Sequence, residues 1–97
     1  MVYTDNVFEW DNAKARSNAL KHFIRFEEAV EAFNDPDALI AEDSAHSRTE
    51  QRKWLIGETT PGRLIVAVFT VRPGPSIRLI SARPAGWEER IQYEKSC

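Results

Sequence analysis

The chain has 97 residues, 42% of them hydrophobic, which fits one domain over residues 1–97 with its own core. Its net charge of −2, taken alone, argues against a nucleic-acid binder. Its only cysteine is the last residue, Cys97, which excludes an internal disulfide and favours a reducing, cytoplasmic location. The first twenty residues lack the apolar segment of a signal peptide, and the longest apolar run, of six residues, is too short to cross a membrane.

Charge is unevenly distributed along the chain. Residues 1–58 carry twelve acidic and seven basic side chains, whereas residues 59–97 carry three acidic and six basic ones. The segment 63–83 has no acidic residue and contains Arg63, Arg72, Arg78 and Arg83. Because arginine can hold a phosphate group bidentately, this segment predicts an anion-binding surface. A small domain can also acquire such a split by chance.

The N-terminal third predicts a short strand and two helices. Residues 7–10 alternate as a strand does, and Asp11 is suited to cap a helix over residues 12–23. Three-four spacing predicts that this helix buries Trp10, Ala13, Ser17, Leu20 and Ile24. The neighbouring polar row is Lys14, Asn18, Lys21 and His22. A second helix over residues 26–33 ends before Pro36, and its predicted inward residues are Phe26, Ala29, Val30 and Phe33.

The remaining residues predict three or four antiparallel strands and a helix. Residues 38–41 suit a short edge strand, residues 44–49 a loop and residues 52–58 a strand. A hairpin at 59–62 leads to an apolar central strand over 64–71, and a turn at 73–75 leads to a strand over 77–83. A final helix over 85–95 spaces Trp87 and Ile91 for burial. The order indicates an α+β domain: a mainly antiparallel sheet of about four strands, two N-terminal helices and one C-terminal helix.

No familiar catalytic motif is present. The chain has two histidines, His22 and His46, and lacks a second cysteine, a glycine-rich phosphate loop and a Gly-x-Ser-x-Gly elbow. The remaining Lys, Arg, His, Glu and Tyr side chains suit acid–base and electrostatic catalysis on a phosphodiester without a metal or cofactor.

The histidine, tyrosine and glutamate candidates have structural alternatives. His22 is suited to proton transfer or to interaction with the C-terminal end of its helix. His46 lies in the polar loop and is suited either to catalysis or to a hydrogen-bonded turn. Tyr93 either meets the sheet together with Glu89, four residues earlier, or packs as an ordinary helix residue.

The arginines raise a question of geometry. Glu50 and Arg52 share one side of a strand and are expected to pair with each other. Arg78 and Arg83 have opposite parity in a regular strand, so they point to different faces unless a bulge or the strand end re-aims one of them.

Short motifs spread over nearly the whole chain occur in a specific order and spacing. They are Phe8–Asp11, Lys14, Asn18, Lys21-His22, Phe26-Glu27, Phe33, Asp35-Pro36, Asp43, His46-Ser47, Glu50, Arg52, Ile56-Gly57, Gly62-Arg63, Thr70, Arg72, Ile77–Arg83, Ala85, Glu89 and Tyr93-Glu94. In this arrangement the chain resembles the BrnT family of bacterial type II toxins, small ribonucleases with a RelE-like fold. Phe23 departs from the family pattern, which commonly has glycine there, and the Pro73–Pro75 turn is unusual.

The resemblance implies a metal-independent endoribonuclease toxin that cleaves RNA and arrests growth. The RNA 2′-hydroxyl would attack the adjacent phosphodiester and leave a 2′,3′-cyclic phosphate and a 5′-hydroxyl. The resemblance also implies a ribbon-helix-helix, BrnA-like antitoxin, through which the complex would bind operator DNA. The main alternative is a non-catalytic protein-interaction module within a repressor complex. Direct DNA binding is disfavoured because no predicted helix is basic enough to read a groove.

The site residues follow from the resemblance and the chemistry together. We expect Arg78 and Arg83 to hold the phosphate. Proton transfer is assigned to Lys21 or His22 and to Tyr93. The RNA backbone is expected to contact Arg52, Arg63 and Arg72.

Overall fold

The computed structural model describes residues 8–44 and 50–96, which form three helices and a five-stranded sheet. In chain order the elements are β1 (Phe8–Glu9), α1 (Asn12–His22), α2 (Phe26–Ala32), β2 (Leu39–Glu42), β3 (Arg52–Glu58), β4 (Leu64–Arg72), β5 (Ser76–Pro84) and α3 (Trp87–Ser96). None of these helices is long and apolar enough to cross a membrane. The predictions for His46 and Cys97 lie outside the described residues.

The sheet has the order β1-β5-β4-β3-β2. The predicted central position of β4 and edge position of the strand after α2 are therefore confirmed. The sheet is mainly antiparallel, as predicted, but the predicted number of about four strands is corrected, because β1 joins as a fifth strand and runs parallel to β5. A parallel pair needs a long crossover, here all the elements between β1 and β5, so local patterns gave no indication of it. This pairing sets Glu9 opposite Arg78.

α1 and α2 cover one face of the sheet. The core on this face contains Phe8, Ile24, Phe26, Ala29, Ala32, Leu55, Ile65, Phe69, Leu79 and Ala82. Phe33 packs edge-to-face on Phe8 and on Phe69, with ring centroids 5.1 Å apart in each pair. A Cβ atom on Gly57 would lie 2.7 Å from the carbonyl oxygen of Ala32, so glycine is what lets α2 approach β3 this closely. The predicted inward residues of α2 are confirmed.

The predicted inward row of α1 is wrong in its central part. Ala13, Ser17 and Leu20 are exposed, Leu20 by 80%, whereas Asn18 from the predicted polar row is only 7% exposed. The Asn18 amide donates to the carbonyls of Ile24 (3.1 Å) and Ala82 (2.8 Å) and accepts from the N–H of Ala82 (3.0 Å). An amide whose hydrogen bonds are satisfied costs little to bury, so Asn18 can face inward against β5.

α3 packs on the opposite face, which we call the outer face. Ile56, Leu64 and Val66 form a second cluster there, joined by Leu39, Trp54, Ala85 and Tyr93. Trp87 is 75% exposed, contrary to its predicted burial. At 3.6 residues per turn Trp87 lies about 120° around the helix from Tyr93, the residue that meets the sheet. α3 contacts the sheet mainly at β3, and Trp54 and Val68 of the outer face stay partly exposed.

Candidate nucleic-acid interface

A β-bulge in β5 brings Arg78 and Arg83 to the same face of the sheet. Arg78 lies opposite Thr70 of β4, and Arg83 lies opposite Val66. β5 contains one more residue than β4 between these two pairs, which is the bulge. Because Val66 and Thr70 are four residues apart, they point to one face, and directly opposed side chains share that face. Both arginines therefore lie on the outer face.

Two further arginines share this face. Arg52 of β3 lies opposite Thr70, and Arg72 follows Thr70 by two residues on β4. The Thr70 hydroxyl donates to the carbonyl of Gln51 at 2.7 Å and ties β4 to the start of β3. Four of the arginines that the sequence analysis singled out thus lie on one surface: Arg52, Arg72, Arg78 and Arg83.

The carboxylates of Glu9 and Glu50 pair with three of these arginines. Arg78 Nη1 donates to Glu9 Oε2 at 2.8 Å, and the Ser76 hydroxyl donates to Glu9 Oε1 at 2.8 Å. The hydrogen bonds from Ser76 and Arg78 lower the pKa of Glu9 below its usual range. Glu50 lies 3.7 Å from Arg52 Nε and 3.8 Å from Arg72 Nη2, in line with its predicted pairing with Arg52.

Arg83 forms a bidentate ion pair with Glu89. Its Nη1 and Nη2 atoms donate to Glu89 Oε1 and Oε2 at 3.0 and 2.9 Å. Glu89 lies in the first turn of α3 and accepts the N–H of Gly86 at 2.6 Å, a favourable position for an anion. The hydrogen bond from Arg83 lowers the pKa of Glu89, so this carboxylate is ionised at neutral pH. Glu89 meets the sheet, as the sequence allowed.

A cleft of about 460 Å³ opens beside this ion pair on the outer face. Its lining residues are Asp43, Trp54, Val66, Val68, Arg83, Glu89 and Gln92. Trp54 was not predicted from the sequence to be a functional residue. The available signal was its position two residues after Arg52 on a strand, which puts both side chains on one face.

Tyr93 does not join the arginines. Its hydroxyl donates to Asp35 Oδ2 at 2.5 Å, and the N–H of Glu58 donates to the same oxygen at 2.8 Å. Burial raises the pKa of Asp35, but the hydrogen bonds from Tyr93 and from the N–H groups of Glu58 and Asp37 outweigh this effect and hold it below its usual range. Tyr93 therefore ties α3 to the segment after α2, and its catalytic role stays a prediction.

Lys21 and His22 lie on the helix-covered side of the sheet, in the last turn of α1. They line a cleft of about 200 Å³ together with Lys14, Ser17, Asn18, Ile80 and Ser81. The structure does not bring them into the cleft of Arg83, so their roles in proton transfer also stay predictions.

Arg63 lies apart from the other four arginines. Its guanidinium forms an ion pair with Glu28 of α2 and donates from Nη2 to the carbonyl of Phe23 at 3.0 Å. The hydrogen bond from Arg63 lowers the pKa of Glu28. These contacts connect the β3–β4 hairpin to the turn between α1 and α2, so the geometry favours a structural function for Arg63 over its predicted RNA contact.

Within residues 8–44 and 50–96, no three His, Cys, Asp or Glu side chains are grouped as a metal ion would require. The outer face offers guanidinium groups held in ion pairs, among them Arg83 beside the ionised carboxylate of Glu89. Next to this pair lies a cleft lined by both apolar and polar side chains. Such a surface is suited to binding an anion that carries an apolar ring.

The fold is similar to that of a solved ribonuclease toxin. The 1.1 Å crystal structure of the ribonuclease toxin BrnT from Brucella abortus matches with a TM-score of 0.65 and 24% sequence identity, over 81% of this chain and 95% of that one. The family model of BrnT, the ribonuclease toxin of type II toxin–antitoxin systems, matches residues 10–89. This chain therefore belongs to the BrnT family. A comparison with curated proteins gives no match.

Proposed function

We propose that this protein is a cytoplasmic toxin that arrests growth by cleaving RNA without a metal ion, through attack of the 2′-hydroxyl on the adjacent phosphodiester. Its membership in a family of ribonuclease toxins supports the general activity. The observation that carries the proposal is the convergence of Arg52, Arg72, Arg78 and Arg83 on the outer face. These fixed cations can supply the charge stabilisation that such a reaction needs.

In this proposal Arg83 and Arg78 bind the scissile phosphate. Glu89 occupies both donor groups of the Arg83 fork, in the planar geometry that a phosphate also accepts. An incoming phosphate would replace this carboxylate on Arg83. As negative charge grows on the phosphorane, the guanidinium groups stabilise the transition state more than the ground state. Arg52 and Arg72 would contact the neighbouring backbone phosphates.

For the proton acceptor we propose Glu89 ahead of Lys21, His22 and Tyr93. Glu89 touches Arg83, and a glutamate carboxylate with an ordinary pKa is ionised at neutral pH even without that contact. Once phosphate has replaced it on Arg83, its carboxylate is free to accept the 2′-hydroxyl proton. Glu89→Gln should then lower kcat and remove the acid limb of the pH–rate profile. An unchanged pH–rate profile would leave Lys21 and His22 of α1 as the candidates for accepting the 2′-hydroxyl proton.

The test of the activity is cleavage of RNA by the purified protein in excess EDTA. The products should carry 2′,3′-cyclic phosphate ends, and the doubly substituted Arg78→Ala/Arg83→Ala protein, purified in the same way, controls for a contaminating nuclease. Cleavage that requires added Mg²⁺ would contradict metal independence. A folded protein that cleaves neither free nor ribosome-bound RNA would instead support the interaction-module alternative.

We further propose that a ribbon-helix-helix, BrnA-like antitoxin neutralises this toxin and gives the complex its contact with operator DNA. Acidic side chains of the antitoxin would face Arg72, Arg78 and Arg83, because opposite potentials steer association. Mixing the two proteins should abolish cleavage and give a stoichiometric complex on a sizing column. Tight binding with cleavage at full rate would contradict this model of neutralisation.

A further inference from the structure

The cleft beside the Arg83–Glu89 pair has an apolar floor. Trp54 of β3 and Val68 of β4 are directly opposed, and Val66 lies two residues from Val68 on the same face. All three line the cleft; Trp54 and Val68 are partly exposed there, whereas Val66 is buried. Apolar side chains left open to solvent inside a concavity are a common sign of a binding site.

The rim of the cleft is polar on the side of α3. Arg83, Glu89 and Gln92 line it there, and Asp43 lines it near the edge strand. The volume of about 460 Å³ falls in the range of roughly 300–1,000 Å³ that small-molecule sites occupy. An apolar floor under a polar rim fits a flat heterocycle, whose faces are apolar and whose edge carries hydrogen-bonding groups.

The position of Arg83 indicates what this heterocycle is attached to. Its guanidinium holds a carboxylate bidentately in the wall of the cleft, and a phosphate fits the same fork. A ligand that puts a phosphate on Arg83 and a ring on the floor is a nucleotide. In a duplex the faces of the bases are covered by stacking, whereas in single-stranded RNA they are available to aromatic side chains.

We propose that the cleft binds one unpaired nucleobase of a single-stranded RNA, stacked on Trp54, next to the phosphate on Arg83. This inference rests on the proposed function for the identity of the ligand, but it concerns binding and not the chemical step. In this proposal Trp54 fixes the position of the RNA strand in the cleft. It does not select a particular base, since every base offers a face for stacking.

The experiment measures binding of an RNA that cannot be cleaved. The probes are fluorescein-labelled hexanucleotides in which fluorine replaces every 2′-hydroxyl, taken from around the cleavage site or, if no cleavage is found, of mixed sequence. In each probe one position in turn is abasic, so one base is removed and all phosphates are kept. Affinity is measured by anisotropy for the wild-type protein, for Trp54→Leu and for Trp87→Leu, which removes an exposed indole that does not line the cleft.

One abasic position should weaken binding to the wild-type protein by roughly 5- to 150-fold, the range for a single base stacked on an aromatic ring. This loss should disappear in Trp54→Leu and persist in Trp87→Leu. Circular dichroism checks folding. Should Trp54→Leu fail to fold, Trp54→Phe keeps a smaller ring and should show an intermediate loss.

Three results would overturn the proposal. In the first, no abasic position weakens binding to the wild-type protein. In the second, the abasic loss persists in Trp54→Leu. In the third, Trp54→Leu weakens only binding to the antitoxin, which would assign the cleft to a protein side chain. Cleavage of RNA with a flat abasic scan would refute the pocket and leave the proposed function standing. A position-specific loss of binding without any cleavage of RNA would support the pocket and refute the proposed function.

Discussion

The two faces of the sheet carry charged and polar groups for different purposes. On the helix-covered face, Asn18 binds backbone carbonyls, and Arg63 binds the carbonyl of Phe23 as well as the carboxylate of Glu28, so both connect elements that are distant in the chain. On the outer face, Arg78 and Arg83 pair with side-chain carboxylates at the edge of open surface. A backbone carbonyl is fixed in place, whereas a side-chain carboxylate can rotate away when a phosphate arrives. The first arrangement stabilises the fold, and the second leaves cations ready for a ligand.

The largest effect is expected at the outer face. Arg83→Ala should lower single-turnover cleavage by about 10²–10³-fold, roughly 2.7–4 kcal/mol of transition-state stabilisation, with little change in thermal stability. Arg83→Lys should recover only part of the rate, because a point charge cannot reproduce a bidentate fork. Arg90→Ala, an exposed residue of α3, is the matched control. If folded Arg83→Ala cleaves like wild type, Arg83 has no part in the reaction.

On the helix-covered face the largest loss should be of stability. Asn18→Ala removes three hydrogen bonds and leaves the buried N–H and carbonyl of Ala82 without this partner, which should cost about 2–4 kcal/mol in the free energy of unfolding. Ser17→Ala, exposed on the same helix, should change it by less than about 0.5 kcal/mol. Urea unfolding measures both. Equal midpoints for the two variants would mean that Asn18 is not a structural link.

Stability should fall in acid. Folding lowers the pKa values of Glu28, Asp35 and Glu89, so their contribution is complete above the unfolded carboxylate range of about pH 4 and is lost as the pH falls through the lower folded values. Tyr93→Phe removes the hydroxyl that donates a hydrogen bond to Asp35. This should lower the free energy of unfolding by about 1–2 kcal/mol at pH 7 and by less at pH 3. A loss that does not depend on pH would show that the hydroxyl does not act through the Asp35 carboxylate.

Arg63 gives the sharpest contrast with Arg83. Because the Arg63–Glu28 pair is partly exposed, Arg63→Ala should lower stability by only about 1 kcal/mol and leave the cleavage rate per folded molecule unchanged. Thermal unfolding and single-turnover cleavage on the same preparation separate the two effects. A reduced rate with unchanged stability would restore the RNA-binding role that the sequence suggested.

The smallest effect should be a gain. Phe23 ends α1 at φ +60°, a left-handed conformation that is unfavourable for residues other than glycine. The Phe23 ring is 78% exposed. Phe23→Gly should therefore raise stability by about 0.5–1 kcal/mol. Phe23→Ala removes the ring and keeps the Cβ atom, so it should gain little. If both variants lose stability alike, the exposed ring contributes to the fold.

The sequence alone predicted most of the secondary structure, the central position of β4, the inward side of α2 and the family. These properties depend on local patterns: an uninterrupted apolar run, a capping aspartate, a residue before proline and motifs at fixed spacing. It failed at α1, where hydrophobic spacing counts an amide as polar and cannot see that distant backbone groups satisfy it.

Only the tertiary structure decided which arginines belong together. In a regular strand Arg78 and Arg83 point apart, and one extra residue between them, opposite a register shift in β4, brings them to one face. Their carboxylate partners come from β1 and α3. Arg63 does not belong to this surface, because it is ion-paired with Glu28 of α2. A bulge and its long-range pairings arise from packing between whole elements. For that reason the stretch 63–83 predicted a basic surface but could not show which of its arginines lie on one face.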